Sequence, residues 1–281
     1  MANKYENCKV LDVSYKLTKT GKNMANISLR DVSSGEVINC TMWQEVIEKT
    51  DKKALKPNNI ISVIDSQYNE QYKTLTLNKI ILVEEAPIGL SQEQTNELYG
   101  KIISVVKDFK DKNLEKAVLK ILNENEALFK TAPAARTNHH NFVGGLILHV
   151  WECINIAKAN FPVFHQKVDT ETILAACITH DLGKMYEYKI DTKTGLIEYN
   201  QEFQKDWISH IQFGFSWAMN NGFKKLARII AAHHGRTDWG ALIDLNQKDL
   251  EPMLYLMHHI DDLSAKFGAV NPEDIKTLKI I

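Results

Sequence analysis

Apolar and polar positions alternate along the first third of the chain and then repeat at helical spacing over the remainder. The alternation predicts strands separated by turn residues such as those of Ser33-Ser34-Gly35. A short helix interrupts the series and is ended by Pro57. In order, the predicted elements are strands over 8–17, 24–30 and 36–43, a helix over 44–55, and strands over 60–67 and 73–83.

Three strands, a helix and two strands is the order found in a five-stranded OB-fold barrel, although other small barrels share it. After a break near Pro87, Ser91-Gln92-Glu93-Gln94 fits a capping box that starts a helix. Apolar positions at helical spacing then continue over 114–122, 144–159, 170–180, 207–220, 223–234 and 248–267. We expect an α+β multidomain chain with an N-terminal five-stranded OB-fold β-barrel over 1–86, a helical linker region over 87–135 and an all-α domain over 136–281.

Composition narrows the location and the partners of the protein. The 281 residues include 34 basic and 35 acidic side chains, so nucleic-acid binding would need a local patch of positive charge. We expect no membrane partner, because the chain has neither an apolar signal region nor a membrane-spanning stretch. Four scattered cysteines without a C-x-x-C pair indicate free thiols and a cytoplasmic location.

The candidate reactive residues of the second half are mainly histidines, and all ten histidines of the chain follow position 138. Together with two aspartates, they recur near the ends of the predicted helices. Imidazole and carboxylate ligands suit Mn²⁺, Fe²⁺ or Zn²⁺, and paired ions can activate water and stabilise phosphoryl oxygens. The ordered set is His149, His180, Asp181, His210, His233, His234 and Asp261.

Each of these residues also has an ordinary structural interpretation. A single histidine on an apolar helix is more often a packed core residue, and an isolated His-Asp pair arises by chance. His165 and His259 keep that interpretation because neither fits the pattern. The ordered set is different, since His…His-Asp…His…His-His…Asp spread over five helices, with Gly183-Lys184 after the His-Asp pair, favours a metal site.

The segment from about 136 to 266 resembles the HD-domain phosphohydrolases, and more narrowly the YhaM-type 3′–5′ exoribonucleases. The local matches are HHNFVGGLILH, ITHDLGKMYE, SHI, AHHGRTDWG and MHHIDDLSAK. Those proteins place an OB-fold ahead of an HD domain, so the resemblance covers both halves and makes 136–281 the HD phosphohydrolase domain. The chain departs from the family at Ser264, where a second aspartate is usual.

The resemblance implies two divalent metal ions, with Mn²⁺ preferred over Fe²⁺, Zn²⁺, Co²⁺ or Mg²⁺. It implies that Asp181 bridges the two ions. The first ion would be held by His149, His180, Asp181 and Asp261, and the second by Asp181, His210 and His233. Lys184 would contact a phosphate oxygen or the attacking hydroxide, unless it is an ordinary solvated lysine. His234 stays open between ligand, orienting residue and proton donor.

Candidate substrate contacts flank this set and lie in the barrel. Arg136, His139, His140 and Arg236 would contact phosphate or base, or are ordinary polar residues, and His258 would orient a ligand or touch the substrate. An OB-fold binds single strands through aromatic side chains and a basic groove. In the barrel, the candidates are Tyr15, Trp43, Tyr68 and Tyr72 for stacking and Lys19, Lys22 and Lys73 for phosphate, with a core Trp43 and solvated lysines as the alternatives.

The predicted function is a metal-dependent phosphodiesterase, namely a 3′–5′ exonuclease that releases nucleoside 5′-monophosphates from single-stranded RNA, with DNA as a further substrate. Two alternatives stay open. One is an HD phosphohydrolase acting on a nucleotide or a cyclic oligonucleotide, and the other is a binding protein that retains the metal core without catalysis. The sequence leaves the metal, the oligomeric state (a homo-oligomer included) and the choice between RNA and DNA undetermined.

Overall fold

The computed structural model describes residues 5–18, 20–207, 209–269, 274, 275, 278 and 280. The chain divides into two compact units, one formed mainly by residues up to 87 and one mainly by residues from 88 onward. Each unit has its own hydrophobic core. Within the described ranges, no helix is long and apolar enough to span a membrane.

The first unit is a closed five-stranded barrel, as predicted. Its strands are β1 (Tyr5–Leu17), β2 (Asn23–Asp31), β3 (Val37–Trp43), β4 (Ile60–Asn69) and β5 (Thr74–Glu84). β1 pairs with β2 and with β4, and β3 closes the barrel by pairing in parallel with β5. Alternate side chains such as Ala25, Ile27 and Leu29 are buried inside, which explains the two-residue period of the sequence.

The helix predicted over 44–55 is wrong in its extent. Helix α1 covers only Gln44–Ile47, and a separate 3-10 turn covers Lys52–Leu55. The break has a local cause, because the side chain of Asp51 accepts a hydrogen bond from the backbone N–H of Lys53. Aspartate makes this kind of bond outside helices, so it starts a new turn instead of continuing the old one.

The second unit is mainly helical. Its helices are α2 (Gln92–Lys107), α3 (Lys112–Glu124), α4 (Glu126–Thr131), α5 (Gly145–Asn160), α6 (Thr170–Thr179), α7 (Lys184–Glu187), α8 (Phe203–Asp206), α9 (His210–Asn220), α10 (Lys224–Ala232) and α11 (Pro252–Phe267). The predicted capping box is present, since Ser91 and Gln94 bond each other's backbone N–H at the start of α2.

One feature departs from the expected all-α architecture. Strands β6 (Tyr188–Ile190) and β7 (Ile197–Tyr199) form a small antiparallel hairpin. Tyr188 faces Tyr199 with their ring centroids 5.4 Å apart, and such cross-strand aromatic pairs stabilise a hairpin. Three residues per strand are too few for a two-residue period to be recognised in the sequence.

The helices of residues 88–131 share one core with the helices that follow. Leu98, Leu122, Phe129 and Leu146 are all fully buried in the same cluster. Helix α6 lies at the centre of this unit, and six of its ten residues are completely inaccessible to solvent. A helix buried on all sides is apolar all round, which explains why α6 lacks a polar face.

The shared core predicts a large effect of truncation in its early helices. Leu122→Ala should lower the free energy of unfolding by about 3 kcal/mol, since it removes a buried leucine and leaves a cavity. Leu128→Ala, at a position 44% exposed, should cost less than about 1 kcal/mol. Urea unfolding followed by circular dichroism compares the two. Equal losses would contradict the packing of α3 into this core.

Candidate metal centre

The ends of three helices meet at one point of the second unit. His180 and Asp181 follow the last turn of α6, His233 follows the last turn of α10, and His210 is the first residue of α9. His149 on α5 and Asp261 on α11 reach the same point from within their helices. Because helix C-termini carry partial negative charge, the ends of α6 and α10 favour cations there.

Four side chains form a first group of donor atoms. His149 Nε2 lies 3.2 Å from His180 Nε2 and 3.1 Å from Asp261 Oδ1. His180 Nε2 lies 3.7 Å from the same oxygen of Asp261. Asp181 Oδ2 completes the group, at 3.6 Å from His149 Nε2 and 3.4 Å from His180 Nε2.

The other oxygen of Asp181 faces a second group. Asp181 Oδ1 lies 3.4 Å from His210 Nε2 and 3.5 Å from His233 Nε2. His234 stands beside these rings, and donor atoms of His210, His233 and His234 lie within 4.8 Å of one another. One carboxylate therefore faces two separate sets of imidazole nitrogens.

The donor atoms fit divalent metal ions. With metal–ligand bonds of about 2.1 Å, neighbouring donors of a tetrahedral or octahedral ion are about 3.0 to 3.4 Å apart. The distances within both groups are near this range. Moreover, Asp181 Oδ1, His210 Nε2 and His233 Nε2 are buried and make no hydrogen bond with any described residue. Buried polar atoms without partners are rare, and a shared cation would satisfy all three.

The opposite ring nitrogen, Nδ1, is engaged in each of these histidines. His180 Nδ1 donates to the carbonyl oxygens of Ala176 and Cys177, in the last turn of its own helix. His233 Nδ1 does the same to Ile230 O at 2.7 Å. Because a carbonyl only accepts, Nδ1 carries the proton and Nε2 keeps the lone pair that a metal requires.

In His210 and His149, the proton is also held on Nδ1, by hydrogen bonds that lead to a carboxylate. His210 Nδ1 lies 2.6 Å from Glu187 Oε2. His149 Nδ1 lies 2.9 Å from Ser264 Oγ, and Ser264 donates in turn to Glu152 Oε2 at 2.7 Å. Since an ionised carboxylate only accepts, the Ser264 hydroxyl proton points to Glu152 and its lone pair accepts from His149.

The charges of the site are compensated inside the protein. Burial alone would raise the pKa of Asp181, but Lys184 and the surrounding imidazoles hold that pKa well below its usual value. The pKa of Asp261 is lowered in the same way by His149 and His180, against the effect of burial. Desolvation lowers the pKa of His149 and His233, so both rings stay neutral.

Lys184 makes an ion pair with Asp181, with its ammonium 2.6 Å from Oδ2. It is nearly fully buried, which argues against a solvated lysine. A cavity of about 570 Å³ opens beside it, lined by Asn138, His139, Lys184, His233, His234, Trp239, His258, Asp261, Asp262, Ala265 and Lys266. The predicted contacts His139 and His258 therefore lie where a substrate could enter, and His258 also donates to the backbone oxygen of His233.

Three other predicted substrate contacts do not line this cavity. His140 is completely buried and bonds Glu152 at 3.0 Å, so its assignment as a substrate contact is wrong for this structure. Arg136 stacks on Tyr199, and Arg236 pairs with Asp238 beside Trp239. The positive φ of His140 and the tight contact of its carbonyl with Gly145 fold this loop inward.

The barrel candidates do not share one surface. Tyr15, Trp43, Tyr68 and Tyr72 are all about half or more exposed, so a core position for Trp43 is excluded. Residues that pair across two strands lie on the same face of the barrel. Tyr15 pairs with Ala25 and Tyr68 with Leu75, whose side chains face inward. Trp43 pairs with Met24, which lies on the outward face. Lys22 lies near Glu45, Lys73 adopts a positive φ, and Lys19 lies outside the described residues.

Sequence reasoning missed several residues that the geometry brings to the site. Glu187 contacts the donor histidine His210, and Ser264, bonded in turn to Glu152, contacts His149 from 115 residues away. Of these three residues, only Glu152 could have been found from the local sequence, because it follows His149 by three positions and so lies on the same helix face. Trp239 also lines the cavity, and in the sequence it belongs to the AHHGRTDWG match.

The metal-free protein should lose stability as the pH falls from 7 to 5. Desolvation depresses the pKa of His149, His233 and His234, so below about pH 6.5 only the unfolded chain takes up protons at these rings. Each such proton lowers the free energy of unfolding by about 1.4 kcal/mol per pH unit. His180 opposes this, because its pKa is raised by Asp181 and Asp261 in spite of burial, and it favours the folded state at low pH.

Urea midpoints in EDTA at pH 7, 6 and 5 measure the effect. His233→Gln should reduce the pH dependence by about one proton. His259→Gln, at an exposed position, should leave it unchanged. If His233→Gln leaves the pH dependence of the urea midpoint unchanged, the His233 ring is not held neutral in the folded protein.

Comparison with known proteins agrees with this geometry. The HD-domain family matches residues 146–266, which contain His149 and Asp261 as well as the His-Asp pair. The chain is 26% identical to the 3′-5′ exoribonuclease YhaM of Bacillus subtilis (strain 168) over 273 residues, or 91% of this chain and 82% of that protein. No solved structure matches. Residues 146–266 carry an HD domain, the chain is a metal-dependent hydrolase, and it is similar to the exoribonuclease YhaM over most of its length.

Proposed function

We propose that the protein is a 3′–5′ exonuclease that removes nucleoside 5′-monophosphates from single-stranded RNA, with DNA as a further substrate. The observation that carries the proposal is the buried carboxylate of Asp181, which faces a separate set of imidazole nitrogens with each of its oxygens. The similarity to the exoribonuclease YhaM supports RNA as the substrate. The closed barrel supports it further, because OB-folds bind single strands.

The two donor groups have separate roles in this proposal. His149, His180, Asp261 and Asp181 Oδ2 would hold the first ion. His210, His233 and Asp181 Oδ1 would hold the second. We assign His234 to the second ion as well, because its Nδ1 donates to Trp239 O and leaves Nε2 for a ligand bond. Mn²⁺ is our preferred ion, since it accepts mixed imidazole and carboxylate ligands.

When bound, the paired ions would activate water and offset the charge of the phosphoryl oxygens. The residues of the chain orient and select the substrate. Lys184 stands at the cavity wall with its ammonium on Asp181 Oδ2, from where it can approach a non-bridging phosphate oxygen as a point charge. His139 and His258 line the same cavity as contacts for the strand end.

The remaining parts of the proposal concern the setting of the enzyme. Residues 1–86 would bind the strand and residues 136–281 would cleave it. Tyr15, Trp43 and Tyr68 would bind the strand at separate places, because they do not form one row, and Tyr72 would bind it from the turn between β4 and β5. All four cysteines are buried and unpaired, which supports a reducing cytoplasmic location.

Hydrolysis of a 5′-labelled single-stranded RNA tests the function. With Mn²⁺, the wild-type protein should produce a ladder that shortens from the 3′ end. Asp181→Asn should reduce the rate by more than about 100-fold, since outer-shell changes alone cost about 10- to 100-fold. Asp206→Asn, an exposed aspartate of α8, is the matched control and should be fully active.

A cyclic oligonucleotide and a mononucleotide belong in the same experiment. Their hydrolysis by a protein that leaves every linear strand intact would overturn the exonuclease and favour an HD phosphohydrolase for small substrates. No hydrolysis of any phosphodiester by the metal-loaded protein would favour a binding protein instead.

The hydrogen-bond chain behind His149 gives a second test. Ser264→Ala removes the acceptor of His149 Nδ1, so both ring tautomers become accessible and the affinity for Mn²⁺ should fall about 10- to 100-fold. Isothermal titration calorimetry without substrate measures the affinity directly. Ser104→Ala on α2 removes a serine whose hydroxyl bonds only its own helix, and it should bind Mn²⁺ normally. If both variants bind Mn²⁺ with equal affinity, Ser264 does not stabilise the metal site.

A further inference from the structure

The side chain of Trp239 is unusually exposed for its size and position. It is 59% exposed, and it lines the cavity that also contains Lys184 and His234. Single apolar side chains on a protein surface are common and carry no meaning by themselves. The position of this one is different, because it stands at the wall of the candidate metal centre.

The backbone that carries Trp239 is held by a dense set of bonds. Residues Thr237–Trp239 form a 3-10 turn, which Gly240 ends with a φ of 92°. The hydroxyl and the N–H of Thr237 both bond Asp244 Oδ2 at 3.1 Å. Leu242 N bonds Ala231 O of α10 at 2.7 Å. An exposed indole on a fixed frame loses little entropy when it binds a flat partner.

Two further contacts connect the indole with the metal centre and with charge. The carbonyl oxygen of Trp239 accepts the Nδ1–H of His234 at 2.7 Å. The guanidinium of Arg236 lies over the indole ring, 5.3 Å from its centroid, and is paired with Asp238 at 2.8 Å. A cation over one ring face leaves the opposite face for a second flat group.

We propose that Trp239 is a stacking surface for a nucleobase next to the scissile phosphate, with Arg236 behind it as a positioning residue. The inference rests on the proposed function and names the part of the strand that the cavity recognises. Every nucleobase has a flat π-face, so a tryptophan binds the strand end without selecting its sequence. Such a surface suits an enzyme that must remove every nucleotide in turn.

Steady-state hydrolysis by the metal-loaded protein tests the inference. Trp239→Ala should raise KM about 10-fold, since stacking of a base on an aromatic side chain contributes roughly one to two factors of ten. It should leave kcat nearly unchanged, because stacking holds the bound strand and the transition state equally. Trp239→Phe should restore most of the affinity. Leu242→Ala, also exposed in this loop but outside the cavity lining, controls for damage to the loop.

A second substrate separates stacking from other effects. The same RNA with base-free residues at its last two positions should give equal KM values for the wild-type protein and for Trp239→Ala. Equal KM values on the intact RNA would overturn the inference while leaving the exonuclease in place.

If the wild-type protein hydrolyses no linear strand, the proposed function fails, and fluorescence anisotropy of a labelled RNA on the same metal-loaded proteins still decides the role of Trp239. Weaker binding by Trp239→Ala but not by Leu242→Ala would support the stacking surface. Equal binding by all three proteins would overturn it.

Discussion

A single buried carboxylate, that of Asp181, is the constraint on which the second unit depends. An ionised group without solvent is strongly unfavourable unless opposite charge and hydrogen-bond donors surround it. Lys184 supplies a direct ion pair, and the imidazoles of two donor groups supply the remaining neighbours. Helices α6, α9 and α10 must therefore end or begin at this point, and α5 and α11 must pass beside it.

Much of this arrangement was readable from the sequence. The period of two over residues 8–83 indicated the strands, and the order of the elements favoured a five-stranded OB-fold barrel without excluding other small barrels. The ordered recurrence of histidine and aspartate near the ends of the predicted helices, together with the family resemblance, indicated the candidate donors, namely His149, the His-Asp pair, His210, His233 and Asp261. The short hairpin β6–β7 was not predicted, because the contact between Tyr188 and Tyr199 that stabilises it exists only in the folded chain.

The orientation of the donors was not readable, because it depends on contacts between distant segments. Which nitrogen of His149 carries the proton is set by Ser264, a position where the family usually has aspartate. In sequence this change looked like the loss of a carboxylate. In the structure, Glu152 provides a carboxylate one hydrogen bond further away, so Ser264 and Glu152 together fix the orientation of His149. Similarly, the burial of His140 depends on the inward fold of its loop.

The bonds between histidine Nδ1 and the carbonyls of its own helix have a consequence for how the protein acquires its metal. Zinc fingers order their ligands only when the metal arrives. Here His180 and His233 are anchored by Ala176, Cys177 and Ile230, none of which needs an ion. The orientation of these two rings therefore does not depend on a bound ion, and an ion would enter or leave the site without refolding of α6 or α10.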